Sequence, residues 1–300
     1  MFPFWVPIAA VSYFLSGLAA IIDKHLISKR IPSPASYSFY IGILGIGALV
    51  LAPWGFGWMP FKITLIALFA GAAFLVALFF FYEALKIDDA SRVVPLVGGT
   101  SPFFILILTD LLLKQSLPKN ELIAMTFFIL GGLMLYAPKF LQKENHFSFK
   151  SLIYGLLSAF FIALTFFLSK WVYNNAEFLT GFIWMRMGSF LAAAFMLIFP
   201  RLRHDIFSTS RTTSKGSIYL FLINKGIGAA HFVLLNFALS LGPASVIDAM
   251  KGLEQIFVFA IAILATRFWP DFISESYHAR DALGKVAGII CFVVGFTILL

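Results

Sequence analysis

Charge is the first thing this chain has little of. Only 12% of its 300 residues are Asp, Glu, Lys or Arg, about half the share of a soluble globular domain. Against that scarcity stands an apolar content of 61%, with 37 phenylalanines spread from end to end. One aqueous core cannot hide so many apolar side chains, so a water-soluble fold is excluded. Cysteine is nearly absent too. Cys291, inside an apolar run, is the only one, which excludes intrachain disulfides and cysteine-built metal sites. The sequence also lacks HExxH, GxSxG, a Walker loop and any Cys/His cluster. We therefore expect no enzyme, no cofactor and no metal. The first residues, MFPFWVPIAAVSYFLSGLAAII, lack a basic leader and a small-residue cleavage site, and read as a retained first helix.

What is present is a series of long apolar runs. A helix that spans a bilayer needs about 20 mostly apolar residues. Ten stretches qualify: 3–22, 36–53, 62–84, 92–113, 120–138, 151–169, 177–199, 217–240, 245–265 and 281–300. The connections are short, the two longest being RLRHDIFSTSRTTSKG (201–216) and RFWPDFISESYHARD (267–281). The expected fold is an all-α integral membrane protein with ten transmembrane helices. The formal charge of +8 comes from basic residues between the apolar runs, which points to membrane loops and lipids and away from nucleic acid.

The chain also repeats itself. A shift of 154 positions lays EALKIDDASRVVPLVGGTSPFF (83–104) on FALSLGPASVIDAMKGLEQIFV (237–258). Ala84, Leu85, Ala90, Ser91, Gly98 and Phe103 then fall on Ala238, Leu239, Ala244, Ser245, Gly252 and Phe257. A shift of 146 brings Lys24 onto Lys170, and one of 163 brings Gly132 onto Gly295. The order is kept, as duplication leaves it. Five helices per copy is odd, so successive copies must be inverted across the membrane. The expected units are 1–138 and 151–300, joined by a loop at 139–150.

This layout, the ALKIDDAS hairpin, the LSLGPAS hairpin and the stretch LLLKQSLPKNELIAMTFFILGGLMLY resemble the drug/metabolite transporter (DMT) superfamily, and within it the EamA-type permeases. The resemblance covers nearly the whole chain. It implies a permease fold of two inverted five-helix repeats, and it is weak for substrate. In one respect the chain departs from it: where such proteins often have proline in the ninth helix, as Pro102 follows Ser101 in the fourth, this sequence has Glu254-Gln255.

Basic residues also orient the chain. Connections after odd-numbered segments hold 15 Lys and Arg, and those after even-numbered segments hold 4. The positive-inside rule then puts both termini outside a prokaryotic plasma (inner) membrane, whereas the resemblance implies both inside.

Ionisable groups at membrane depth face an interior or a water-filled cavity. Glu83 and Asp110 lie near helix ends and read as interfacial. Arg186 is near the middle of the seventh segment, with Trp184 close by as a pocket residue; Lys225 and His231 are near the middle of the eighth. Asp248, Lys251 and Glu254 enter the ninth. At about 100° per residue, Asp248, Lys251 and Gln255 fall within roughly a 60° arc of a continuous helix, with Gly252 on the same stripe. On the eighth segment Asn224 and His231 share one face, Lys225 and Asn236 another. Thr100 and Ser101 align with Glu254 and Gln255, and Gly98-Gly99 and Pro102 beside them predict a local distortion of the fourth helix. Ser12, Tyr13 and Ser16, then Tyr154, Ser158 and Thr165, read as mild polar linings. Trp5, Trp54, Trp58, Trp171 and Trp269 read as interface anchors. Gly284 and Gly288 make a small-residue face for packing or a homodimer.

One set of charges can be structural, as ion pairs that hold helices in register. Yet Arg186, Lys225 and Lys251 outnumber Asp248 and Glu254, which leaves a positive charge for a carboxylate, sulfonate or phosphate. The expected function is a secondary transporter of a small polar metabolite, anionic or zwitterionic such as an amino acid, working by alternating access. Its substrate site joins Arg186, Lys225, Lys251, Glu254, Gln255, Trp184, Thr100 and Ser101, with Asp248 and His231 as proton-coupling groups. The rivals are a flippase for a lipid-linked sugar or similar amphiphile and a non-transporting membrane scaffold or receptor. The charge count predicts that a protease, or a thiol reagent directed at a cysteine introduced by Ser208→Cys, reaches loop 201–216 from the cytoplasmic side; protection there would reverse the orientation.

Overall fold

The computed structural model describes residues 3–29, 33–87, 90–113, 118–140, 148–212, 215–254, 256–258, 260–261 and 279–299. Among them no residue is in a β-strand, and the protein is an all-α membrane protein. Eleven α-helices are described: α1 (Trp5–Lys29), α2 (Pro34–Leu44), α3 (Phe61–Ile87), α4 (Ala90–Leu113), α5 (Lys119–Phe140), α6 (Phe149–Asn175), α7 (Phe178–Met196), α8 (Pro200–Thr212), α9 (Lys215–Leu241), α10 (Ala244–Ala249) and α11 (Ala279–Leu299). A 3₁₀ stretch, Gly45–Trp54, continues α2. Among the described residues six spans are long and apolar enough to cross a membrane: Trp5–Ile22, Pro34–Trp54, Phe61–Ile87, Phe149–Asn175, Phe178–Met196 and Ile218–Leu241.

The helices start where their sequences supply caps. Ser33 precedes Pro34, and its side chain accepts from Ser36 N; Ser148 does the same for Ser151 N at the head of α6. Each occupies one of the backbone donors a helix start leaves over. At the other end of α9, the Lys170 ammonium donates to the last carbonyls, Leu239 O and Ser240 O, both at 3.2 Å, the favourable place for a cation.

Packing follows the small residues, as it must where lipid tails give no hydrophobic drive between helices. The buried side of α3 is Ala67, Ala70, Gly71, Ala73, Ala77 and Ala84 with Leu75. It lies against α6 on one side, where Ser158 Oγ donates to Ala77 O at 3.0 Å, and against α7 on the other. There Ser189 Oγ donates to Gly71 O at 2.8 Å. A Cβ at Gly71 would press into the Met185 carbonyl, and one at Gly188 into the Leu68 carbonyl. α1 runs along α9, α4 along α6, and α5 along α11. In the last pair Phe128 and Phe292 stack at 5.5 Å, and Gly288 faces Gly131 within the chain. The Gly288 face is thus spent on intramolecular packing.

Four local expectations change. The segment 36–53 is an α-helix that tightens into a 3₁₀ helix. Connection 201–216 contains α8, an amphipathic helix whose Ile206 is buried while Arg201, Arg203 and His204 are exposed. Trp5 is not at the surface: it is 7% exposed and its ring covers Gly242, whereas Trp54 and Trp58 are 72% and 87% exposed. Fourth, α4 is helical throughout despite Pro102, and the distortion falls instead in the ninth segment. α10 stops at Ala249, residues 250–251 form a turn, and helix resumes at Gly252. Residues 262–265, Trp269 and loop 267–281 lie outside the described residues, apart from 279–281.

Because the α3–α7 contact is backbone against backbone, Gly71→Ala and Gly188→Ala are each expected to lower stability by about 1–3 kcal/mol. Thermal melts in detergent measure this. Gly226→Ala, with nothing within 4 Å of its Cβ, is the control and should melt at or slightly above wild type.

Candidate functional site

The break after α10 sets the geometry of the site. Met250 N still bonds Val246 O at 3.0 Å, as in an α-helix, but Lys251 N bonds Asp248 O at 3.0 Å. That tighter turn leaves the Ile247 carbonyl without its helical donor. A bare carbonyl has no water to turn to inside a membrane. Tyr13 on α1 takes the place: its hydroxyl donates to Ile247 O at 2.6 Å. Leu253 N and Glu254 N then bond Met250 O and Lys251 O at 2.8 and 3.0 Å, so the chain stays tightly wound before regular helix returns.

Asp248 stands at this break. It is 1% exposed, and Ser101 on α4, fully buried, donates its hydroxyl to Asp248 Oδ2. Lys251 lies over α4, its Cδ 4.0 Å from where a Gly98 Cβ would be. Pro102 supplies no N–H to the Gly98 carbonyl one turn back. Lys251 is close enough to act electrostatically on Asp248 and His231, yet among the described residues it forms no ion pair within 4 Å with Asp248. Glu254 lies on the α1 side: its backbone carbonyl is 3.1 Å from a Cβ built on Gly17, and its carboxylate acts electrostatically on Tyr13.

His231 is tied to the same stretch of α1. Its Nδ1 is 2.8 Å from both Ser12 O and Ser12 Oγ, and Ser12 Oγ donates to His231 O at 3.0 Å. A carbonyl only accepts, so Nδ1–H donates to Ser12 O, and Nε2 remains the acceptor of the ring. Ser12 and Tyr13, which the sequence marks only as mild polar linings, thus bridge His231 on α9 and the broken helix. Neighbouring hydroxyls on an apolar helix were the available signal.

A second setting surrounds Arg186, 8% exposed. Its guanidinium lies 5.0 Å from the Phe74 ring and 4.5 Å from the Phe232 ring, a cation–π arrangement. Gly45 leaves room for it, since a Cβ there would stand 3.3 Å from Nη2. Among the described residues no carboxylate or carbonyl accepts a hydrogen bond from this guanidinium. Nearby, Tyr173 donates to Asn236 Oδ1 at 2.8 Å, joining α6 to α9.

The three cations, Arg186 buried and Lys251 and Lys225 half-buried, are therefore in three settings. Lys225 is in the third, with Nζ 3.0 Å from Tyr37 Oη and 4.6 Å above the Tyr37 ring, beside Phe221. On the eighth segment His231 meets α1, Lys225 meets α2 and Asn236 meets α6. Thr100 donates its hydroxyl to Leu96 O of its own helix. Trp184 Nε1 donates to Gly57 O at 3.1 Å, and its ring meets Phe56 and Trp58, so it holds the chain that follows the 3₁₀ helix. Gln255 lies outside the described residues.

No protein-family model matches the sequence, and no curated protein matches it. A solved structure described as "Crystal structure of protein" superposes with a TM-score of 0.66, over 98% of this chain and 96% of that one, at 14% identity. The likeness is one of fold alone.

Tyr13→Phe leaves the Ile247 carbonyl unmet and is expected to cost about 1–3 kcal/mol in thermal denaturation. Tyr154→Phe, on a residue whose hydroxyl has no hydrogen bond among the described residues, should cost little; equal losses would mean that the Tyr13 hydroxyl is not what holds the break.

Proposed function

We propose that the protein is a secondary transporter which moves a small anionic or zwitterionic metabolite, an amino acid being the simplest case, by alternating access. The observation that carries the reading is Arg186. Phe74 and Phe232, whose rings are 4.9 Å apart, lie together on one side of the guanidinium, and its N–H donors, which meet no acceptor among the described residues, are left for a ligand. A carboxylate or phosphate matches that fork with two parallel charge-assisted hydrogen bonds. A positive charge at membrane depth with no described anionic partner is a functional site by default.

The break at residues 250–251 supports the same reading, because discontinuous helices in transporters put backbone groups and charged side chains beside the solute path. Asp248 and His231 are the proton-coupling groups in this scheme, each bonded to a hydroxyl residue on another helix. Lys251 and Glu254 on the far side of the break complete the path.

We further propose that the helices form two inverted five-helix repeats of the EamA type, in a prokaryotic inner membrane. The first repeat would be α1, α2 with its 3₁₀ extension, α3, α4 and α5. The second would be α6, α7, α9, the broken helix begun by α10, and α11. Paired packing supports this: α1 on α9 answers α6 on α3, and α5 meets α11. The α3–α7 pair is closed along its backbones, whereas α2 and α9 meet through the side chains Tyr37, Phe221 and Lys225. Unequal closure of related pairs suits a protein resting in one of two access states.

A stability screen in detergent against amino acids, organic acids, nucleosides, sugar phosphates and cationic drugs tests the reading, since a ligand that binds only the folded state raises the melting temperature. A carboxylate or phosphate compound should stabilise wild type. With Arg186→Lys, the single ammonium cannot reproduce the fork, and apparent affinity should fall at least about tenfold. Stabilisation by cations alone would overturn the proposal. In reconstituted vesicles, Lys251→Ala and Glu254→Gln should abolish uptake while insertion persists; normal flux in both would move the path elsewhere.

A further inference from the structure

A groove of about 570 Å³ runs along the outside of α3 and α7. Leu65, Phe69 and Phe80 on α3 and Leu191 and Phe195 on α7 form its walls, and Leu202 of α8 closes one end. Leu65, Phe69, Leu191 and Phe195 are each more than half exposed. The close α3–α7 backbone approach makes the floor, and the aromatic and leucine side chains on either side make the ridges. From Leu65 to Phe80 the groove follows α3 for about 22 Å at the helical rise per residue. One leaflet's hydrocarbon is about 15 Å deep, so the slot is long enough for a lipid tail.

Its end is charged. Leu202 is flanked by Arg201 and Arg203, both exposed on the amphipathic helix α8. Among the described residues neither has an ion-pair partner, and the neighbouring Asp205 lies 3.8 Å from His204. An apolar slot at hydrocarbon depth that ends at two cations on an interfacial helix is complementary to one chemistry.

We propose that this groove holds one acyl chain of an anionic phospholipid, whose headgroup phosphate rests on Arg201 and Arg203. The lipid is a resident one: the groove walls are apolar, and a headgroup carried across the membrane would find no polar partner along them. The inference is independent of the transport reading.

The test uses delipidated full-length protein in detergent, with melting temperature and native mass spectrometry as readouts. Dioleoyl phosphatidylglycerol should stabilise the protein and stay bound, while dioleoyl phosphatidylcholine should do so far less. Each arginine near a headgroup plane contributes about a fivefold preference for the anionic lipid, so Arg201→Gln with Arg203→Gln should weaken it about thirtyfold. Ala192→Trp, which fills the groove, should remove it as well. Should that variant not fold, dihexanoyl phosphatidylglycerol serves in its place: with too short a tail to fill the groove, it should stabilise wild type little. The proposal is overturned if phosphatidylcholine binds equally, if the double arginine variant keeps the preference, or if inorganic phosphate or the short-chain lipid stabilises as well as the dioleoyl form. A homodimer cross-linked through Phe69→Cys, with the groove as its interface, would also overturn it.

Discussion

A carbonyl group inside a membrane must have a donor, and the architecture around the site depends on how Ile247 finds one. The turn at Met250–Lys251 takes its helical donor away, and the Tyr13 hydroxyl replaces it. That one bond ties α1 to the broken helix at the level where Asp248, Lys251 and Glu254 stand. Ser12, the adjacent residue, bonds the backbone and ring of His231, so two consecutive residues of α1 hold two other helices. A shift of α1 would therefore be felt at both proton-coupling candidates together.

The same constraint explains why the polar side chains of this protein are so often bonded to backbone. Ser158, Ser189 and Lys170 all donate to carbonyls of a neighbouring helix. In lipid these bonds replace the hydrophobic drive that packs helices in water, and small residues let the backbones come near enough for them to form. Arg186 stands out because it is not bonded in this way. Two adjoining aromatic rings lie beside it, and among the described residues no acceptor meets its N–H groups.

Much of the fold was legible in the chain. Apolar runs of spanning length, short connections and the lack of charge lead directly to an all-α membrane protein, and nine of the ten predicted segments correspond to described helices or near-continuous helical stretches. The segment 245–265 reads as one smooth helix because periodicity assumes regular winding, and so the stripe that begins with Asp248 and Lys251 is interrupted by the turn at 250–251. Proline was a misleading signal in the opposite sense. Pro102 lies in a continuous α4, while the break comes at Met250–Lys251, a pair that no propensity scale singles out.

Of the candidate site, sequence alone determined which groups are costly at membrane depth: Arg186, Lys225, His231, Asp248, Lys251 and Glu254. It also separated the His231 and Lys225 faces of α9, since a helix turns by a fixed angle per residue. Partners were decided only by the tertiary structure. Sequence leaves open whether a cation lies on Tyr37, across Gly98, or beside Phe74 and Phe232, because these partners stand on other helices, Tyr37 188 positions from Lys225, and are brought near only by helix packing. Ser12 and Tyr13 gained their importance in the same way. A hydroxyl on an apolar helix is unremarkable until another helix breaks opposite it and leaves a carbonyl that nothing else can reach.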